Sequence, residues 1–349
     1  ICDHGRLFHH VHPNDIAQGV LGDCWLLAGM AGMAEFEGAV FHLFHDKKVN
    51  DQGMYRINIF NPVAKKWEAV VVDDFVPLGP DGQPLMAKPQ GNEMWVLLLE
   101  KAFAKWFGSY VQTQGAFVLV PFMLLTDSGP CKGFSQVKQG PNFDVNNYTI
   151  STVSLADARN RNSCQIVPAG QTTAEQVWNE ICAADRQNFI MSAFTMKDPP
   201  SAGAARGASG EVIGSDGIAK GHAYSVITAK EIVADGRTWR VLRVRNPWGK
   251  NPASEWKGPL GDSWAEWGRF PELRRKLGID KAETDGMFWM NWDDFRARFS
   301  DLGVVPKAME VPRVGHVEGE VEGTQPQAKH GKKFNKDEPA APPPAPVPA

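Results

Sequence analysis

Cysteine is scarce and scattered in this 349-residue chain. The five residues, Cys2, Cys24, Cys131, Cys164 and Cys182, are too few and too far apart for a disulfide framework, which points to a reducing, cytoplasmic setting. Neither sign of charge dominates: the net value is -3, so the footprint of a nucleic-acid or anionic-membrane partner is missing. No apolar run is long enough to cross a bilayer; Ala116–Leu125 comes nearest, and it is short and broken by Pro121. There is no internal repeat. The chain opens at Ile1 with neither an initiator Met nor a basic-then-apolar leader, as a fragment of something longer would. What is present is 43% hydrophobic and 22% charged residues, the balance of one large or two medium globular domains.

The apolar run that begins at Cys24 predicts a helix to about Glu37. Met54–Asn61 and Trp67–Phe75 read as strands, rich in β-branched and aromatic residues and bounded by turn formers. Asn92 is placed to cap a helix over Glu93–Trp106, with an acid in its first turn and lysines late. From Thr126 to Pro168 the pattern is weak and rich in Asn, Gly and Ser, and an interdomain hinge is expected at its start. Thr172-Thr173-Ala174-Glu175 reads as a capping box that opens a helix through Ala184. Asn188–Thr195 reads as a strand and Pro199–Lys220 as a mobile loop. His222–Lys230 and Arg237–Arg245 form a hairpin through an Ala-Asp-Gly turn. Trp289–Ser300 includes a short helix, and beyond Pro306 a polar, then Pro/Ala-rich tail is expected to be disordered.

Chemistry concentrates in Gln18-Gly19-Val20-Leu21-Gly22-Asp23-Cys24-Trp25. A thiol at a helix N-terminus meets free backbone N–H groups and the positive end of the dipole, which favour thiolate. Gln18 can donate a side-chain N–H to an oxyanion formed beside the Cys24 amide. A free core cysteine at the start of a helix is the competing account of the same residues. A nucleophile needs a base and a group to orient it. Lys220-Gly221-His222-Ala223 offers the base at a strand start, and Arg245-Asn246-Pro247-Trp248-Gly249 offers a carboxamide at the end of the partner strand. A lone His is more often structural and a lone Asn-Pro more often a turn. Three such patterns in this order on a helix start and two paired strands favour a Cys–His–Asn centre.

These segments resemble the calpains, the calcium-dependent branch of the papain-like cysteine proteases. The likeness rests on Gln18–Trp25, Val72-Asp73-Asp74, Asn92–Lys105 with Gly108-Ser109-Tyr110, Gly221–Val226, Arg245–Gly249 and Glu255 to Trp267. It spans roughly residues 10 to 300, with a divergent stretch from about 127 to 218. The resemblance implies that Cys24 attacks the scissile carbonyl, that His222 is its base, and that Asn246 orients His222. It further implies that Gln18 and the Cys24 amide hold the oxyanion, that Trp248 shields the His–Asn bond, and that Gly221 meets the substrate main chain. It implies two Ca2+ ions whose binding brings the halves together. Asp15 and Glu93 match carboxylates of the first site; Glu255, Asp262 and Asp285 match the second, with a carbonyl near Glu283.

The chain departs from the family pattern at three places. Met287 stands where a further acid of the second site is usual, which weakens that site. Pro13 replaces the arginine that bridges to the same acid across the halves, so both partners of that bridge are absent. Asp127-Ser128 replaces a Gly-Gly that lies against substrate, where glycine permits close backbone approach. No EF-hand loop is present. His4, His9, His10 and His12 with Cys2 lack the spacing of a zinc site, Asn147-Tyr148-Thr149 is a glycosylation sequon without meaning inside the cell, and Asp73-Asp74 fits a strand end better than a metal site.

The fold expected is α+β and papain-like. Residues 1–127 form a helical half carrying the nucleophile, 128–305 a β-rich half carrying His222 and Asn246, and 306–349 a disordered tail. The activity expected is calcium-regulated intracellular cleavage of protein substrates, through a thioester acyl-enzyme. Two other functions fit the same fold: a catalytically idle Ca2+-responsive interaction module, and a transglutaminase-like acyl transferase.

Overall fold

The computed structural model describes residues 6–89, 93–140, 142–195, 206–207 and 209–310. Its N-terminal elements are β1 (Ile16–Ala17), α1 (Cys24–Ala34), β2 (Met54–Asn61), β3 (Lys66–Asp73), β4 (Lys88–Pro89), α2 (Trp95–Phe107) and α3 (Val120–Leu125). Every residue of α1 is buried, the outcome required of a helix that is apolar all round. Glycine lets neighbours approach it closely. A Cβ at Gly29 would stand 2.4 Å from Pro121 Cγ of α3, and one at Gly32 would stand 2.8 Å from Ile190 Cγ2. Helix α2 packs against the β2–β3 hairpin, and Lys105 Nζ donates to Val71 O at 2.6 Å. It ends at Gly108, whose φ of 105° is the left-handed cap that glycine adopts freely.

The second group comprises β5 (Cys131–Gln139), β6 (Asn142–Leu155), β7 (Cys164–Thr173), α4 (Ala174–Arg186), β8 (Met191–Thr195), β9 (Ala223–Ala234), β10 (Arg237–Arg245), α5 (Pro271–Lys276), β11 (Met287–Asn291), α6 (Trp292–Arg296) and β12 (Phe299–Val304). Eight of its strands form one sheet in the order β11-β10-β9-β8-β12-β5-β6-β7. Each neighbouring pair is antiparallel. The β9–β10 turn places Asp235 and Gly236 at φ 49° and 76°, the left-handed pair that a two-residue hairpin requires. Helix α4 covers the sheet with Val177, Trp178 and Ile181, which share a core with Tyr148, Val226 and Leu242. The fold is α+β, and the described residues fall within one compact unit.

Several boundaries differ from the sequence reading. Residues 131–173 form three long strands where the pattern looked weak. β7 lies at the sheet edge and is exposed over most of its length, so no alternation of apolar residues was needed to build it. Helix α2 begins at Trp95 rather than Glu93 and has no acid in its first turn; Glu93 instead bridges to Arg6. The capping box of α4 joins Thr173 and Gln176, one residue later than Thr172 and Glu175. Asn92, Cys2, His4 and the tail from residue 311 lie outside the described residues, as does much of the loop from Pro199. The expected boundary at 127/128 falls between α3 and β5. Among the described residues no helix is long and apolar enough to cross a membrane.

Gly29→Ala separates helix propensity from packing. In an open helix the change would add about 1 kcal/mol of stability. Here the new methyl meets Pro121, and the expected result is a net loss of about 1–3 kcal/mol, read as a lower urea midpoint.

Candidate active site

The β9–β10 hairpin places the base beside its orienter. His222 precedes β9, follows the left-handed Gly221 (φ 63°) and is fully buried. Its Nε2 lies 2.9 Å from Asn246 Oδ1, just past the end of β10. That Oδ1 also accepts the Trp248 backbone N–H at 3.0 Å, which identifies it as the carbonyl oxygen. The imidazole proton therefore sits on Nε2. Nδ1 is left with no hydrogen-bond partner among the described residues. The Trp248 ring lies against the imidazole, with centroids 4.5 Å apart.

Cys24 is the first residue of α1, and packing carries it to this point. Ser225 Oγ of β9 donates to Ala28 O of α1 at 2.8 Å. The strap before the helix is tied to the Asn246 turn: Gln18 N donates to Pro247 O at 3.0 Å and Arg245 Nη2 to Ile16 O at 2.6 Å. Cys24 Sγ, a His222 ring nitrogen and a Glu211 carboxylate oxygen consequently all lie within 4.8 Å of one another. Sulfur, imidazole and carboxamide, drawn from three distant points of the sequence, share one buried locus. Such an array can pass a proton from thiol to imidazole while the carboxamide fixes the ring.

Sequence reasoning missed the turn that covers this locus. Gly207 N donates to Glu211 O at 2.9 Å, and Gly207 lies so close to the Trp248 indole that a Cβ there would stand 2.3 Å from it. Ser209 Oγ accepts from Gln18 Nε2 at 3.1 Å and donates to Glu211 Oε2 at 2.5 Å. Gln18 Nε2 also donates to Leu21 O at 2.7 Å, so in this conformation its side-chain donor is engaged. Glu211 carried no motif; its position in a loop just upstream of His222 was the one available signal.

Burial sets the protonation states. It pushes the Cys24 thiol up to about 12, with Glu211 and Asp23 adding to the rise. It also lowers His222 to about 4. The covered pair is therefore neutral thiol and neutral imidazole, and the helix N-terminus does not outweigh desolvation. Asp23, immediately before Cys24, is fully buried against Glu100, whose own oxygens accept from Ala87 N at 2.9 and 3.1 Å. Burial raises Asp23 to about 7 and Glu100 well above the carboxylate range, so the two carboxyls retain a proton.

The other carboxylates fall into two sets that face one buried guanidinium. Asp15 is raised to about 6 by burial and then by Glu93. Glu93 Oε1 accepts from His10 N at 3.2 Å, while its buried Oε2 has no partner among the described residues. Glu255 is raised to about 7 and Asp262 to about 6, in each case by burial first and then by neighbouring acids including Asp285. Glu255 Oε2 is likewise buried and unpartnered among the described residues. Asp262 Oδ2 accepts from Glu283 N at 3.2 Å, and Asp285 accepts from Asn14 Nδ2 at 2.9 Å and from Met287 N at 2.8 Å. The Asn14–Asp285 bond joins the N-terminal strap to the sheet, next to Pro13 and Met287. Arg245 feels Asp285, Asp15 and Glu255, although burial lowers it to about 10. The Cys24–His222–Glu211 group is the one triplet of potential metal ligands drawn this close among the described residues. Asp127, at the departure from Gly-Gly, pairs with Lys307.

A profile described as calpain family cysteine protease matches residues 1–306. The chain belongs to the calpain family of cysteine proteases. It is 33% identical over 294 residues to human calpain-8, covering 83% of this chain and 35% of that protein. To the catalytic subunit of bovine calpain-1 it is 30% identical over 307 residues, 86% of this chain and 36% of the relative. The calpain-type cysteine protease DEK1 of Zea mays is 30% identical over 295 residues, covering 84% of this chain and 11% of that protein. The chain thus spans about a tenth to about a third of these relatives, and the papain-like α+β core is the part they share with it.

The Asp23 carboxyl gives this calpain core a pH signature. Its folded-state value lies near 7 against an ordinary 3.8, so the folded state holds the extra proton. The associated stability is full below the ordinary value and is lost as pH rises through the window toward 7. In Asp23→Asn that loss is absent. Compared by thermal unfolding across this window, the variant is expected to gain on wild type steadily as pH rises; a constant difference would contradict the shared proton.

Proposed function

We propose that this chain is the peptidase core of a calcium-regulated cysteine endopeptidase that cuts protein substrates in the cytoplasm. The observation that carries the reading is the convergence of Cys24, His222 and Asn246, with the imidazole Nδ1 unpartnered and Nε2 held by the carboxamide. Residues 1–127 supply the nucleophile and 128–305 the base, with the cleft between them.

In the reaction His222 Nδ1 takes the thiol proton as Cys24 Sγ adds to the scissile carbonyl. Asn246 keeps the proton on Nε2 and the ring in line. The developing oxyanion meets the Cys24 backbone N–H and, once the Ser209 turn has withdrawn, the Gln18 side-chain N–H. The imidazolium returns its proton to the leaving amine, and a water activated by the same imidazole then hydrolyses the thioester. Gly221, free of a side chain, gives the substrate main chain room beside His222, and the Trp248 indole keeps water from the His222–Asn246 bond. A substrate that displaces Ser209 and Glu211 also removes the nearest acid opposing the thiolate.

Calcium is supported by the donor chemistry. Asp15 and Glu93, and Glu255, Asp262 and Asp285, are all-oxygen sets of the hard kind that Ca2+ takes. Each contains a buried carboxylate oxygen without a partner among the described residues. Bound there, Ca2+ would supply the positive charge that lets those acids ionise together. Met287 leaves the second set one acid short of the family pattern.

Casein digestion is the direct test. Wild type is expected to cut casein with Ca2+ and not with chelator, and Cys24→Ala to be inactive in both. Activity that persists in chelator would remove calcium from the proposal and leave the protease. Gln18→Ala is expected to lose about 10²–10³ in kcat. New peptide termini by mass spectrometry, rather than new isopeptide links, distinguish cleavage from acyl transfer; a Cys24 inert to iodoacetamide with and without Ca2+ would mark the fold as an idle interaction module.

A further inference from the structure

We propose that Cys24, His222 and Glu211 form a site for a thiophilic divalent cation, Zn2+ by its donor set, and that the bound ion holds the centre inactive. The inactivation rests on the protease reading above; the coordination does not. The donors come from three separate segments: the first residue of α1, the residue before β9, and Glu211 in the turn that also carries Ser209. Their ligand atoms all lie within 4.8 Å of one another, and His222 Nδ1 is 3.9 Å from Glu211 Oε1. A tetrahedral Zn2+ with bonds of about 2.0–2.3 Å sets its donors about 3.3–3.6 Å apart, so the three atoms need close by only about 1 Å.

The surroundings already perform the orienting role that outer groups play around a metal. Asn246 holds Nε2–H and leaves Nδ1, buried and unpartnered, to point at the gap. Ser209 donates to Glu211 Oε2 and leaves Oε1 toward His222. Ligating imidazoles and carboxylates in metal proteins are held in this manner by a bond to their other heteroatom.

Thiolate and imidazole select against Ca2+, which requires oxygen, so this site and the carboxylate sets would take chemically different ions. Binding is balanced by one proton: the Cys24 S–H bond breaks, its proton goes to solvent, and the sulfur electron pair forms the bond to the metal. His222 gives the Nδ1 lone pair and keeps Nε2–H, Glu211 binds as carboxylate, and a water fills the fourth position. The acids Glu211 and Asp23, which oppose a bare thiolate, favour one bound to a dication. While the ion is present, the sulfur and nitrogen that cleavage needs are both occupied and the Glu211 turn is pinned over them.

The test uses the full chain with calcium omitted, Co2+ as the spectroscopic probe and Zn2+ as competitor. One Co2+ should bind with a thiolate-to-cobalt charge-transfer band, absent in Cys24→Ala and displaced by Zn2+. Zn2+ should block iodoacetamide labelling of Cys24 with the Kd of its own binding. Glu211→Gln should weaken binding at least about tenfold, and Ser209→Ala, a gentler change in the same turn, by about 10–100-fold. Absence of the band, or unchanged affinity in both variants, overturns the site. A chain that gives no band when Co2+ is added, yet cuts casein once Ca2+ is supplied, refutes the metal site and leaves the protease intact; the band in a chain that never cuts casein supports coordination and speaks against the protease.

Discussion

The seating of α1 on the start of β9 is the constraint from which the rest of this molecule follows. A helix with no polar face has one stable place, fully enclosed, and the Ser225–Ala28 bond with the Ile16–Gln18 strap fixes its register against the sheet. Cys24 therefore has little freedom of its own. Its sulfur goes where eleven buried residues take it. The His222–Asn246 pair is fixed as firmly, by a two-residue hairpin whose left-handed backbone admits few alternatives. Side chains at the centre inherit their geometry from packing well away from it.

The same enclosure determines the electrostatics. Removing water from around the thiol and imidazole favours their neutral forms, and the Ser209–Glu211 turn completes the removal. Arg245 is the counterpart at the join between strap and sheet. Buried and pinned to Ile16 O, it faces acids from both carboxylate sets. The Asn14–Asp285 hydrogen bond, beside Pro13 and Met287, ties the strap to the approach to β11 through a neutral donor.

Much of this was legible in the sequence because it is written locally. The glycine-punctuated loop into an apolar run, the histidine at a strand start and the Asn-Pro-Trp-Gly turn each state their backbone setting, and the Asp-Gly hairpin turn lies where its residues placed it. What was not legible depends on partners remote in sequence. β7 looks structureless because an edge strand with one neighbour and little covering has no need of apolar alternation. The start of α2 was misplaced because Glu93 is recruited to a bridge with Arg6 instead of the helix's first turn. Glu211 and Ser209 belong to no motif. Their relevance arises only when the loop before β9 folds over Trp248, a contact that local pattern does not encode.

The separation in sequence of these residues has a consequence for biosynthesis. Cys24 leaves the ribosome before its partners, His222 only after four of the sheet's eight strands, β5 to β8, and Asn246 only after six, β5 to β10. A nascent or prematurely terminated chain holds the sulfur without its base, and β9 and β10 must both be complete before the two can meet. The order of translation thus completes the Cys24–His222–Asn246 locus only once those strands exist.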